Sequence, residues 1–246
     1  MRSGNPVLND RAFARTGTGT GDGVMTIEGT VNKTLLLLTI CVATAAWTWG
    51  RFFAAGSVQA VSGLMWVGLL GGFALAIVTA FKVQWARYTA PAYAALQGLA
   101  IGGISATFEA RYPGIVVQAV GLTFGTLLCL LGAYKSGLIP VTQNFRLGVV
   151  AATGGIALLY LVQIVIGLFG GTGMGFIHQG GTFGILFSLF VVTIAALNLV
   201  LDFDFIESGA REGAPKYMEW YGAFGLVVTL VWLYLEILRL LAKSRD

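Results

Sequence analysis

Residues 198–219 read NLVLDFDFIESGAREGAPKYME, and the reading of this stretch decides the fold. It carries the tail of one long apolar run, a short polar link and the first residues of another. Runs of about 20 apolar residues have the length needed to cross ~30 Å of hydrocarbon. Two acids, Asp202 and Asp204, sit at the end of the first run, and Glu219 opens the second. Placing an acid at the bilayer centre costs about 2.5 to 3.5 kcal/mol on insertion scales, so acids at membrane depth are functional candidates by default.

The rest of the chain has the same character. Of 246 residues, 57% are hydrophobic and 11% charged, against about 25% charged in soluble domains. The chain reads as an all-α integral membrane protein. Outward from the quoted stretch, apolar spans are expected at 31–53, 58–81, 91–109, 114–134, 145–169, 182–205 and 217–241, a seven-transmembrane-helix bundle over residues 31–242. Pro91 is expected to open the third span, where its missing N–H would be unpaired in any case. Residues 1–30, with a Gly/Thr tract from Thr16 to Gly23, read as a flexible tail with a short ordered approach to the first helix.

Small residues at four-residue spacing, Gly68/Gly72, Gly98/Gly102, Gly121/Gly125 and Gly180/Gly184, suit close helix crossings. The glycine-rich segment 167–181 lacks the Lys-Ser/Thr of a phosphate loop. Cys41 and Cys129 lie inside apolar runs with no disulfide or metal-ligand spacing, and His178 is a single loop histidine. No cofactor is expected. The net charge of +4 arises from basic residues scattered between spans, which is orientation rather than nucleic-acid binding. Of the 15 Lys and Arg, five (Arg51, Arg111, Arg239, Lys243 and Arg245) fall on the side opposite the N-terminus. The excess on the other side places the N-terminus in the cytoplasm. The basic C-terminus disagrees, and a re-entrant last segment is the alternative.

The acids then define a candidate site. Asp202 and Asp204 are about 200° apart around a helix, so one of them can face the bundle. Glu219 begins the antiparallel neighbour at similar depth, and Glu236 lies roughly 25 Å further along. Arg87, at the mouth of the third span, is on the same side. Two carboxylates held close cannot both ionise cheaply, so their shared proton occupancy can switch helix packing and act as a latch. The simpler reading is an interfacial acid paired with Lys216 or Arg211. Glu109 beside Arg111, and Glu236 three residues before Arg239, read as ordinary ion pairs or as an outer vestibule drawing cations inward. Gln97, Gln118, Gln163, Asn198 and Thr229 read as interhelical hydrogen-bonding residues.

With LDFDFI at 201–206, GLAIGGIS at 98–105, WLYLEILRLLA at 232–242 and the opening NPVLNDRAF at 5–13, the chain resembles a bacterial branch of the Bax inhibitor family, the transmembrane Bax inhibitor motif proteins. The resemblance implies a pH-sensitive calcium leak channel of the bacterial inner membrane. Its latch is a pair of aspartates on helices six and seven with an arginine at the second-to-third junction. Asp202 matches the first aspartate through D-x-x-x-I to Ile206, and Arg87 matches the arginine by its distance from GLAIGGIS. LYLE puts Glu236 at the second aspartate's position, whereas ILRLLA puts Thr229 there. Asp204 stands where the family usually has an amide.

The expected function is therefore a calcium leak pathway gated by a buried carboxylate cluster, with transient calcium near Asp202 and Asp204. The alternative is a non-conducting regulatory membrane protein that modulates a membrane protease or another partner. The lipid bilayer is the expected environment. An enzyme is not expected, since there is no GxSxG elbow, paired-histidine motif or matched aspartate pair on two helices.

Overall fold

The computed structural model describes residues 23–168 and 181–245. Seven α-helices occupy them: α1 (Ile27–Ala55), α2 (Gln59–Phe81), α3 (Ala86–Arg111), α4 (Ile115–Lys135), α5 (Gln143–Leu168), α6 (Thr182–Arg211) and α7 (Met218–Lys243). His178, Gly180 and residues 1–22 of the expected tail lie outside the described residues.

Six of the helices are long and apolar enough to cross a membrane, and α3 is the exception. The chain is a multi-pass membrane protein. Large apolar side chains such as Trp66, Leu70, Phe73, Val117, Leu128 and Leu158 lie exposed along α2, α4 and α5. In water such a surface would drive aggregation; in lipid it is the solvent-facing surface.

α3 falls short on apolarity because its buried face is made of small and weakly polar residues, among them Ala86, Thr89, Ala90, Gly98, Gly102, Gly103 and Ser105. That face lets it sit between α1, α2 and α7. A Cβ on Gly98 would strike the Cys41 carbonyl and Thr44 Oγ1, and one on Gly102 would strike the Ala45 backbone. The two contacts advance together along both chains, so α1 and α3 run parallel. Gly68 and Gly72 press in the same way on Leu96, Ala100 and Gln97, with α2 antiparallel to α3. Gly121 and Gly125 differ, since a Cβ at either meets nothing within 4 Å.

Three boundaries move by four residues or more from their sequence expectations, the first being the end of α6, which runs on to Arg211 rather than 205. α3 begins at Ala86 rather than Pro91, after a 3₁₀ turn at Val83–Trp85. Proline inside a helix frees the carbonyl four residues back, here that of Arg87. The extra turn forms because Ala86 and Ala90 are fully buried and Thr89 Oγ1 shares a 2.7 Å hydrogen bond with Thr79 Oγ1 of α2. α1 begins at Ile27, with Thr26 as its N-cap accepting the Gly29 N–H at 3.0 Å. Just ahead of it, the Met25 N–H donates to the Ala214 carbonyl at 2.7 Å, which ties the approach to α1 onto the α6–α7 link.

α7 is the hub, packed against α1, α3, α4 and α6. Tyr93 meets Phe224 edge to face at 4.9 Å, Ser105 Oγ lies 2.6 Å from Tyr234 Oη, and Arg245 of the C-terminal turn reaches the Pro113 carbonyl. α3 therefore runs parallel to α7 between the same two faces of the bundle. Below, the amino face is the one where α1 begins.

Candidate functional site

Asp202 is fully buried on α6 (0% exposed), where that helix packs on α7. Its depth follows from the α6–α7 register. A Cβ on Gly222 would lie 3.2 Å from Ile206 Cγ1, and the Phe205 and Tyr221 rings are 6.3 Å apart. Ile206 is thus level with Gly222, and Asp202, one turn deeper, is level with Leu226. At 1.5 Å rise per residue, Thr229 is offset from Asp202 by about 4.5 Å along the axis, Glu219 by about 10 Å and Glu236 by about 15 Å. Of the three candidate partners, Thr229 is nearest in depth. It is buried as well.

Asp204 takes another direction. Its side chain is 20% exposed and Oδ2 accepts from Arg146 Nη2 of α5 at 2.5 Å. Between these two acids, only Asp202 is fully buried. Next along α6, Glu207 accepts the Tyr134 hydroxyl of α4 at 2.6 Å, and Arg211 donates to Ser208 Oγ.

Glu219 is also fully buried, and its carboxylate is fully engaged near the start of α1. Oε1 accepts the Thr26 N–H at 2.9 Å and the Thr26 hydroxyl at 2.8 Å, with the Lys216 ammonium at 2.8 Å. Oε2 meets Lys33 Nζ at 2.5 Å. The Lys33 ammonium in turn lies 5.4 Å from the centre of the Trp220 ring. Helix N-termini carry unpaired N–H groups and positive partial charge, so an acid at the start of α1 is favourably placed. The carboxylate lies so close to α1 that a Cβ on Gly29 would overlap it. A buried acid with two ammonium groups and two hydrogen-bond donors is a fastening between α1 and α7.

Arg87 is exposed, with its guanidinium 4.5 Å from the centre of the Tyr88 ring. Because Tyr93 is level with Phe224, Arg87 sits about 12 Å from the depth of Asp202 along the bundle. Arg87 and Glu219 thus lie at similar depth, both about 10–12 Å to the amino side of Asp202. On the opposite face, Glu109 accepts the Gly114 and Val116 N–H groups at 2.6 and 3.1 Å and so caps α4, where Gly114 turns at φ 82°. Glu236 accepts the Tyr160 hydroxyl of α5 at 3.0 Å and Arg239 Nη1 at 2.8 Å. The two glutamates face different neighbours. Among the described residues no three His, Cys, Asp or Glu side chains gather as a cation cage.

The polar residues expected to bridge helices include Asn198, which donates to Thr153 Oγ1 of α5 at 2.8 Å, and Gln118, which accepts from Arg245. Sequence reasoning counted Lys33 only as an orientation charge and passed over Thr26 and Gly29, which complete the Glu219 fastening. A lysine three residues inside an apolar run was the available signal.

A sequence model of the family described as Bax inhibitor 1 like matches residues 5–246. The chain belongs to that family. The match runs through every helix described above. No curated protein and no solved structure matches it.

Proposed function

We propose that this member of the Bax inhibitor 1 like family is a seven-span membrane protein, N-terminus cytoplasmic, that forms a pH-sensitive leak pathway for calcium. The observation that carries the reading is the complete burial of Asp202 at the α6–α7 contact. A carboxyl so placed changes helix packing when it gains or loses a proton, because a buried ionised acid needs far stronger solvation or pairing than a buried neutral one. The moving part is the α6–α7 contact around Asp202 and Thr229. Asp204, Glu207, Glu219 and Glu236 act as fixed points that hold α6 and α7 against α5, α4 and α1. The ion is a permeant species that passes the Asp202 level without a resident cage.

Running parallel to α7, and offering its neighbours a small-residue face, α3 supplies the seventh crossing. An N-terminus in the cytoplasm follows from the excess of Lys and Arg on the amino face. Proteoliposomes loaded with a calcium dye test the reading. Flux above empty vesicles that changes with acidification, and a pH response lost in Asp202→Asn, are expected. Flux equal to that of empty vesicles ends the proposal.

The second reading, a non-conducting regulator of a membrane protease, draws on an apolar groove of about 430 Å³ between α1 and α4, floored by α3 and α7 and lined by exposed Val42, Val117 and Phe124. Such a groove suits a partner's membrane helix. Protease capture by the Asp202→Asn variant, with no flux from the wild-type chain, is the result that favours this reading over the first.

A further inference from the structure

The apolar groove between α1 and α4 carries a chemistry that neither reading of function uses. On α1 it runs from Trp49, toward the face opposite the amino face, inward to Leu38, a length of about 16 Å at 1.5 Å rise per residue. On α4 it runs from Val116, in the first turn, to Phe124. It thus starts at one face of the bundle and ends near mid-depth. One leaflet of a ~30 Å hydrocarbon core is about 15 Å deep, so groove and leaflet match in length. The volume of about 430 Å³ falls within the range of small-molecule sites, roughly 300–1,000 Å³. A helix about 10–12 Å across would lie over the mouth of such a groove and leave its floor unfilled. The mouth itself faces lipid, since Val42, Val117 and Phe124 on its rims are exposed.

One pair of polar groups on the groove wall has a proton to give. Ser105 Oγ and Tyr234 Oη, both buried, lie 2.6 Å apart. Two hydroxyls carry two O–H groups, and the bond between them uses one. The other meets no acceptor among the described residues, whereas the Thr123 hydroxyl on the same wall is committed to the Ala119 carbonyl at 2.7 Å. A buried donor without an acceptor is costly, so the pair suits an oxygen atom of a ligand. Because Gly98 and Gly102 of α3 meet Cys41 and Ala45 of α1, Ser105 lies close to the level of Trp49. Indole rings favour the membrane interface, the level at which the ester groups of lipids give way to acyl chains. Glu109, which also lines the groove, puts a carboxylate one turn, about 6 Å, further out on α3. A neutral ester tolerates that neighbour, while the carboxylate of a free fatty acid would meet like charge.

We propose that this groove seats one acyl chain of a glycerolipid from the leaflet on that face, with the ester carbonyl accepting from the Ser105–Tyr234 hydroxyl pair. The full chain is purified in neutral detergent and offered phosphatidylcholine with ester-linked chains or with ether-linked chains of the same length. Retained lipid is counted by native mass spectrometry. Wild-type protein should hold the ester form about fivefold better, the worth of one hydrogen bond. Either hydroxyl alone still donates, so Ser105→Ala/Tyr234→Phe is the variant that should lose the ester preference. Ala46→Trp, which fills the groove from an exposed position on α1, should retain one lipid fewer. Leu70→Trp, exposed on α2 outside the groove, should match wild type. If Ala46→Trp does not fold, Val120→Trp fills the groove from α4 instead. Equal lipid retention by wild type and the groove-filled variant overturns the proposal, and so does a wild type that holds ester and ether forms equally. Preference for free palmitate over the ester lipid overturns the glycerolipid assignment and makes the groove a fatty-acid site. Cross-linking between chains through Val42→Cys, in a chain with Cys41 and Cys129 replaced by serine and with lipid retention unchanged by Ala46→Trp, overturns it in favour of a contact between copies.

Discussion

At the scale of single residues, two acids that are equally buried have different surroundings. Glu219 is surrounded by donors at the start of α1, whereas Asp202 lies where α6 packs on α7. Removing one partner of a buried ion pair leaves the other uncompensated at a cost of about 3–5 kcal/mol. Glu219→Ala should therefore lower the unfolding midpoint in detergent strongly, while Lys216→Ala, whose side chain is 46% exposed, should cost about 1 kcal/mol or less. Gly29→Ala puts a methyl group onto the Glu219 carboxylate and should cost about 1–3 kcal/mol. Shortening the acid with Glu219→Asp in the Gly29→Ala background should recover part of that loss. A double-mutant cycle that shows simple additivity would mean the two positions do not touch.

At the scale of helices, the same glycine spacing has two meanings. Gly102 lets α3 lie against the α1 backbone, while Gly125 faces open space. Gly102→Ala forces the two helices apart and should destabilise the protein by about 1–3 kcal/mol. Gly125→Ala meets no neighbour and should be neutral or stabilising by up to about 1 kcal/mol, the helix-propensity gain alone. Thermal unfolding of the two variants side by side checks both, and equal losses would remove the distinction. A polar cross-link of the kind seen between Asn198 and Thr153 is worth about 0.6 kcal/mol on average in membranes, so Asn198→Leu should have a small effect on stability.

At the scale of the whole molecule, α3 decides how many times the chain crosses. Its parallel course with α1 and α7 predicts that cysteines placed at Arg87 and Arg111, in a chain with Cys41 and Cys129 replaced by serine, react with an impermeant thiol reagent from opposite sides of the membrane. Labelling of both from one side would make α3 a buried element that does not traverse. The fastening of residues 24–26 to Pro215, Ala214 and Glu219 ties the start of α1 to the α6–α7 link and the first turn of α7. Any rearrangement at Asp202 thus works against an anchored amino face.

By itself the sequence determined the membrane class, the positions of the helices to within a few residues, and the family, because apolar run length and short motifs are local properties. It also named Asp202 as one of several candidate acids. What only the tertiary structure decided was which polar groups meet. Lys33 counted as an orientation charge until α7 brought Glu219 beside it, and Arg146 likewise until α6 presented Asp204. Helix register set the depths, leaving Thr229 nearest to Asp202 and Arg87 about 12 Å away along the bundle axis. Register and facing direction arise from packing between segments far apart in the chain, and side-chain composition along one helix does not encode them.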